Sequence, residues 1–253
     1  MGIDRKKWKA EFREGDQLRW PCPSCGQTTL RIAPQTITKG QTRASKEWQE
    51  HEAAEPDQIE GRFACLIGCA HCANAVGAAG TYRVQDDRHV DQVHGETGDY
   101  IHYYRVNYFT DSPHLVDVPE ATPDVVRQEL LASFQLFWSD PLACTNRIRS
   151  SVEKLLTAQK IPQKPARRRG FLTLHDRIER YRHEQPKIAS SLMAVKWIGN
   201  AGSHAKPTTD DDAIDGYVLM DWVLHDLYAR RHREAAELTR QINRRKGPRS
   251  PRG

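Results

Sequence analysis

Six cysteines occur in the 253-residue chain, and four of them form two Cys-x-x-Cys pairs, Cys22-Pro23-Ser24-Cys25 and Cys69-Ala70-His71-Cys72. Two intervening residues let both thiolates of one tight turn point at a single ion, and Gly26 after the first pair helps that turn fold back. Two such knuckles complete a tetrahedral four-sulfur set for Zn2+, with no position left open for water, so the ion they imply is structural. A redox role for either pair would need a βαβ setting, which the flanking sequence lacks. Cys65 falls in the strand entering the second knuckle and reads as core. His71, between two ligands, should face outward, and Cys144 reads as a small buried hydrophobe on a helix.

Strands must carry these turns. Thr28–Ile32 follows the first knuckle, Phe63–Ile67 leads into the second, Thr81–Gln85 leads away, and Tyr100–Phe109 is rich in aromatic and β-branched residues until Asp111-Ser112-Pro113 stops it. The polar stretch 40–61, with Trp48 among acidic and basic neighbours, reads as a partly helical insertion between the halves of the metal site. The character changes at Val118-Pro119. Thr122-Pro123 and Asp140-Pro141 are helix starts, each a capping residue followed by Pro at the first helical position. Ile148, Val152, Leu155 and Leu156 lie on one helical face. Thr173 with Asp176 resembles a capping box, opening a helix with Ile178 and Tyr181 inward. Pro186 opens another that carries Ile188, Leu192, Val195 and Ile198 and is closed by Gly199-Asn200-Ala201-Gly202. Thr209 and the acids after it begin a long last helix with Ile214, Val218, Leu224, Leu227 and Tyr228 inward and Arg230 to Arg233 at its end. Glu153 and Arg147 are candidates for a buried polar pair, and Trp138, Trp197 and Trp222 could serve an interface, although aromatics on helices are more often core. The expected class is α+β: a β-rich zinc ribbon over 1–117, an all-helical bundle over 118–233 and a basic C-terminal tail over 234–253.

Lys and Arg number 38 against 33 Asp and Glu, and the excess is uneven. From Arg230 onward there are nine Lys/Arg against two Glu, and Lys160, Lys164, Arg167, Arg168 and Arg169 form a second cluster without an acid. Such patches can follow a phosphate backbone, which makes Lys164, Arg167, Arg168, Arg169, Arg244, Arg245 and Lys246 candidate nucleic-acid contacts; a solvated loop and a solvated tail are the equal alternative. No apolar run approaches the roughly 18 residues that cross a bilayer, and no apolar segment follows the basic N-terminus, so a cytoplasmic protein away from membranes is expected.

From about Val118 to Arg231 the chain resembles an uncharacterised prokaryotic family of helical domains, often encoded near or fused to restriction-type endonuclease subunits. Val118-Pro119-Glu120-Ala121-Thr122-Pro123, the helix from Ala143 to Leu156, and Ile198-Gly199-Asn200-Ala201-Gly202-Ser203-His204 carry the resemblance. Members often have paired two-cysteine knuckles upstream, and the family is placed in the HEPN-like superfamily of helical bundles. The resemblance implies an RNA-directed module of a prokaryotic defence or toxin-like system, a homodimer through the helical domain and a partner protein of that system. In catalytic members an arginine precedes a histidine at a helix end, the histidine moving protons and the arginine stabilising a phosphorane in metal-free RNA cleavage. His204 matches the histidine and Asn200 the polar residue beside the arginine, while Gly199 stands where the arginine would be. Lys196, Arg147 and Arg149 are the nearest replacements for that charge. A helix cap with a histidine bonded to a carbonyl is the plainer reading of Asn200 and His204. Three functions follow: an RNA-associated module, a metal-independent endoribonuclease using His204, or a non-catalytic dimerising interaction module.

Overall fold

A computed structural model of the chain describes residues 3–91, 95–165, 170–200 and 207–247. It is mixed α+β, with an N-terminal sheet followed by a helical C-terminal region. It divides into two compact units, Asp4–Leu115 and Val116–Gly253 with Met1–Ile3.

The first unit is built on an antiparallel sheet ordered β1 (Leu30–Ile32), β3 (Glu60–Cys69), β4 (Ala75–Asp86) and β7 (Tyr100–Phe109), with β2 (Thr38–Gln41) also paired to β3. Strand β3 reads exposed-buried along most of its length, and its partners align buried with buried, so the sheet has one dry face. That face carries Phe63, Cys65, Ile67, Val76, Ala78, Tyr82, Val84, Tyr104, Val106 and Phe109, all buried. The chain before the first knuckle covers it. Helix α1 (Arg5–Lys9), capped by Asp4, buries Trp8, and Phe12 bridges to Tyr104 and stacks on its ring at 5.6 Å. Trp20 meets Phe109 edge-on at 5.6 Å and donates its indole N–H to the Lys7 carbonyl. A separate two-stranded ribbon, β5 (His89–Asp91) with β6 (Gly95–Thr97), lies off the sheet.

The stretch 40–61 begins inside the sheet rather than as an excursion from it. Thr38 to Gln41 pairs with Ala64 to Gly61, and only then does α2 (Arg43–Gln49) leave, capped by the Thr42 hydroxyl and tied back where Ser45 accepts the Glu60 N–H.

Six helices follow: α3 (Asp124–Phe137), α4 (Pro141–Ala158), α5 (Leu174–Arg182), α6 (Pro186–Asn200), α7 (Asp210–Tyr228) and α8 (Arg230–Arg245). Caps open three of them. Asp140 accepts from the Ala143 N–H with Pro141 in the first turn, and Thr173/Asp176 and Thr209/Asp212 form reciprocal capping boxes. Helix α3 starts one residue later than expected: Pro123 is its N-cap, and the buried Thr122 hydroxyl makes no bond. Ile148, Val152, Leu155, Leu156, Ile178, Tyr181, Ile188, Leu192, Val195, Ile214 and Leu224 are buried as expected.

Several details differ from expectation. Helix α7 ends at Tyr228, because Ala229 turns extended, and α8 begins at Arg230, so residues 230–233 open a helix instead of closing one, and much of the basic tail is helical. The apolar face of α7 is turned towards Tyr217, Met220 and Val223, leaving Val218 outside. Trp197 and Trp222 are 59% and 42% exposed rather than core. Arg147 pairs with Glu129 at 3.0 Å, and Glu153 pairs with Arg149 at 3.1 Å, both near the surface, so the expected Arg147–Glu153 pair is absent. Gly199 and Asn200 lie within the last turn of α6 rather than beyond it.

The helical interior holds two polar devices. The Tyr217 hydroxyl donates to Ser133 Oγ at 2.8 Å and lies 3.1 Å from Cys144 Sγ, and the Ser133 hydroxyl donates to the Leu130 carbonyl. The order is thiol to phenol to hydroxyl to carbonyl, and burial pushes the Cys144 thiol up to about 12, which keeps it protonated as a donor. Arg177, also buried, donates to the Glu153 and Ile161 carbonyls and to Thr157 Oγ1, placing a cation where the α4 dipole is negative. Among the described residues no helix is long and apolar enough to cross a membrane.

Candidate metal centre

Cys22, Cys25, Cys69 and Cys72 come together with all four sulfurs within 4.8 Å of one another. Cys22 Sγ lies 3.8 Å from Cys72 Sγ, and Cys25 Sγ 3.7 Å from Cys69 Sγ. These separations are far too long for a disulfide and close to the edge, about 3.8 Å, of a tetrahedron with metal–sulfur bonds of about 2.3 Å. The two pairs reach this arrangement from the top of the sheet. Leu30 of β1 pairs with Cys69 of β3, which fixes the distance between the turn before β1 and the turn after β3.

The turns are the same object made twice. In the first, Gly26 N–H donates to the Cys22 carbonyl and Cys22 N–H to the Gln27 carbonyl. In the second, Ala73 N–H donates to the Cys69 carbonyl and Cys69 N–H to the Asn74 carbonyl. Each needs a left-handed residue after its second cysteine: Gly26 has φ +73° and Ala73 φ +58°. Glycine takes that conformation freely, whereas alanine is strained there.

The electrostatics favour a cation. The Thr29 hydroxyl, 3.3 Å from Cys69 Sγ, and the N–H groups of Cys72 and His71 pull the Cys69 thiol down to about 6. Burial raises Cys22, over the help of the Cys25 and Ser24 N–H groups, and sulfur neighbours add to the rise. At Cys25 the Gln27 N–H favours the thiolate, yet burial and the other three sulfurs drive the thiol up to about 12. One sulfur is prepared to ionise and its neighbours then resist, which is the behaviour a divalent ion at the centre would relieve. The donor set is all thiolate and closed. Thr29 would hold Cys69 in place as an outer partner. Cys65 is buried in β3 away from this set, and His71 is exposed.

The other candidate residues do not assemble in this way. Lys196 is buried with Nζ 3.5 Å from the centre of the Trp197 ring, and Asn200 ends α6. His204 lies outside the described residues. At Gly199 a Cβ would stand 2.7 Å from Arg149 Cβ and 3.2 Å from the Thr145 carbonyl, so α4 closes this position to any side chain. Lys164 is exposed with Nζ 5.2 Å from the Phe171 ring centre, and Arg167, Arg168 and Arg169 lie outside the described residues. Arg244 and Arg245 close α8, followed by Lys246 in a left-handed cap, all three exposed.

Residues 10–109 match the family model of a domain of unknown function, DUF8608, and residues 132–245 that of another, DUF4145. The first match takes in both knuckles and the sheet, and the second α4 to α8. No curated protein and no solved structure matches the chain.

Proposed function

We propose that this chain is a nucleic-acid-associated module directed to RNA, with one structural Zn2+ tying the turns of its ribbon-bearing sheet unit and with a helical unit that is HEPN-like. Following the resemblance, it acts as a dimer in the cytoplasm of a prokaryote, within a defence or toxin-like system that includes a partner protein. The observation that carries the nucleic-acid reading is the end of α8: Arg244, Arg245 and Lys246 face solvent together, and no acidic residue follows Glu237. Cations gathered on one helix end suit a phosphate backbone, whereas a closed sulfur site offers an ion no open position for chemistry. Zinc over other ions is supported by the all-thiolate set and the tetrahedral edge lengths.

Binding of a labelled RNA panel across a salt series tests this. Each phosphate contact contributes about −0.7 to the slope of log K against log salt for a single strand, so changing Arg244, Arg245 and Lys246 together to Gln should make the slope shallower by roughly 2. Wild-type protein that binds no RNA at low salt would end the reading and leave the interaction module. A ribonuclease built on His204, Asn200 and Lys196 has its own test: purified protein must cleave RNA, and His204→Ala must stop it while the fold survives.

A further inference from the structure

The solvent face of the sheet is not an ordinary polar exterior. Paired positions share a face, so the register of β3, β4 and β7 reads as successive outward rungs: Arg62, Thr81 and Arg105; then Ala64, Ala79 and Tyr108; then Leu66 and Gly77, whose N–H is accepted by the Thr110 hydroxyl. One rung further, Arg31 of β1 lies opposite Gly68. The β7 bulge at Ala79/Gly80 turns Tyr108 outward next to the inward Phe109. Tyr108 is 58% exposed and Leu66 47%, large side chains on a face otherwise floored by alanine and glycine, with Arg62 and Arg105 exposed at one end and Arg31 at the other.

A solvent-facing antiparallel strand usually presents polar side chains. Here the middle of the face is small and apolar, one tyrosine stands on it, and every charged side chain on these rungs is an arginine. A base stacked on Tyr108 would have Ala64 and Ala79, each carrying a single methyl group, as its neighbours on that rung. Phosphates on either side of that base would meet guanidinium groups. Duplex RNA keeps its bases stacked inside and offers no free face, so the fit is to an unpaired strand.

We infer that this sheet face binds single-stranded nucleic acid, with a base stacked on Tyr108 and phosphates held by Arg62, Arg105 and Arg31. The inference rests on the nucleic-acid reading above and assigns the base-contacting surface to the sheet unit, as residues distinct from the α8 cations.

Fluorescence anisotropy with the full, metal-loaded chain tests it, using a labelled 12-nucleotide RNA, the DNA of the same sequence, and the RNA duplex. Tyr108→Ala should weaken binding of a single strand roughly tenfold or more, Tyr108→Phe should keep it, and duplex affinity should not change. Arg62→Gln with Arg105→Gln should make the single-strand salt slope shallower by about 1.4. RNA and DNA strands affected alike mean that the ring and phosphates suffice, while an effect on RNA alone adds a 2′-hydroxyl contact. Each side chain is exposed, so unchanged melting of the variants shows that the fold is intact. Wild-type binding that Tyr108→Ala leaves untouched overturns this surface and spares the α8 reading. An equal loss for the duplex also overturns it, since stacking would not discriminate in that way. Absence of all binding by the wild type removes both.

Discussion

The sheet unit and the helical unit close their interiors with different materials. Beneath the sheet, Trp8, Phe12, Trp20, Phe63, Tyr82, Tyr104 and Phe109 do most of the filling, and rings contact rings at 5.0 to 6.2 Å. Among the helices, Leu130, Ile148, Val152, Leu155, Leu156, Ile178, Leu192, Val195 and Leu224 make the interior mainly aliphatic around one ring cluster, Phe134 and Phe137 against Tyr217 at 5.3 and 6.3 Å, with the Tyr217 hydroxyl chain and Arg177 as internal ties. The first knuckle precedes the three-residue β1 and the second follows β3, so two turns far apart in sequence have to be gathered, and four thiols do this at the top of the sheet. Helices α4, α5 and α7, opened by their own caps, and α4, whose C-terminal end meets Arg177, have no such need. One unit should therefore depend on an ion and the other on a few buried hydrogen bonds.

The largest effect expected from breaking this contrast is metal removal. Structural zinc contributes about 10–16 kcal/mol in small thiolate-rich folds at pH 7, so chelation, or Cys25→Ser with Cys69→Ser, should unfold the sheet unit. Hydrogen exchange would show strands β1, β3 and β4 losing protection while α3 to α7 keep theirs. Loss of protection in both units together would refute separate dependence. Elemental analysis of protein purified without chelator should give one zinc per chain.

Two substitutions probe the helical side at the next level. Tyr217→Phe leaves the Cys144 thiol and the Ser133 hydroxyl short of a partner, at a cost of about 1–3 kcal/mol, and should lower the melting midpoint of that unit without releasing metal. Gly199→Ala drives a methyl against Arg149 and the Thr145 carbonyl and should cost a similar amount, about 1–3 kcal/mol. Calorimetry of the full chain would resolve which transition moves.

Smaller still is the difference between the two knuckles. Ala73→Gly should stabilise the sheet unit by about 0.5–1 kcal/mol, and Gly26→Ala should destabilise it by about 1 kcal/mol, both visible as shifts in the midpoint of metal-loaded unfolding. The weakest expected effect is on pH. The Tyr104 hydroxyl, more than the nearby Lys39, holds Glu14 below the usual carboxylate range. Its contribution is complete above the unfolded value and is lost as pH falls through the lower folded one. Glu14→Gln should therefore lower the sheet unit's stability slightly at neutral pH, flatten the acid side of its profile, and match the wild type once pH falls below the folded value.

Local signals made much of this legible. Tyr100–Phe109 is a strand over those residues because nothing but aromatic and β-branched character was needed to specify it. Asp140-Pro141, Thr173/Asp176 and Thr209/Asp212 announce helix starts through bonds within one turn. The four cysteines announce their meeting because only a shared ligand gives such spacing a purpose. Information carried by distant partners was not legible. Strand β2, Thr38-Lys39-Gly40-Gln41, has no hydrophobic residue and is a strand only through β3. Phe12 and Trp20 lie in loop-like sequence and become core only against Tyr104 and Phe109. Val218 shares a helical face with Ile214 in a simple count, but α7 is rotated so that Tyr217 can reach Ser133 and Cys144 on two other helices. Asp4 ahead of Arg5–Lys9 and Thr42 ahead of Arg43–Gln49 are further caps written in local sequence.

The order in which the knuckles leave the ribosome has a consequence for the newborn chain. Cys25 and Cys69 are 44 residues apart, and translation adds roughly 5–20 residues each second. For about 2–9 seconds the first pair exists as a two-thiol half-site, able to lose its sulfurs to an oxidant or to a softer ion such as Cu(I) before the second pair is made. Cells starved of the ion these thiols take, or under thiol stress during synthesis, should accumulate misassembled protein, while copies finished earlier stay intact.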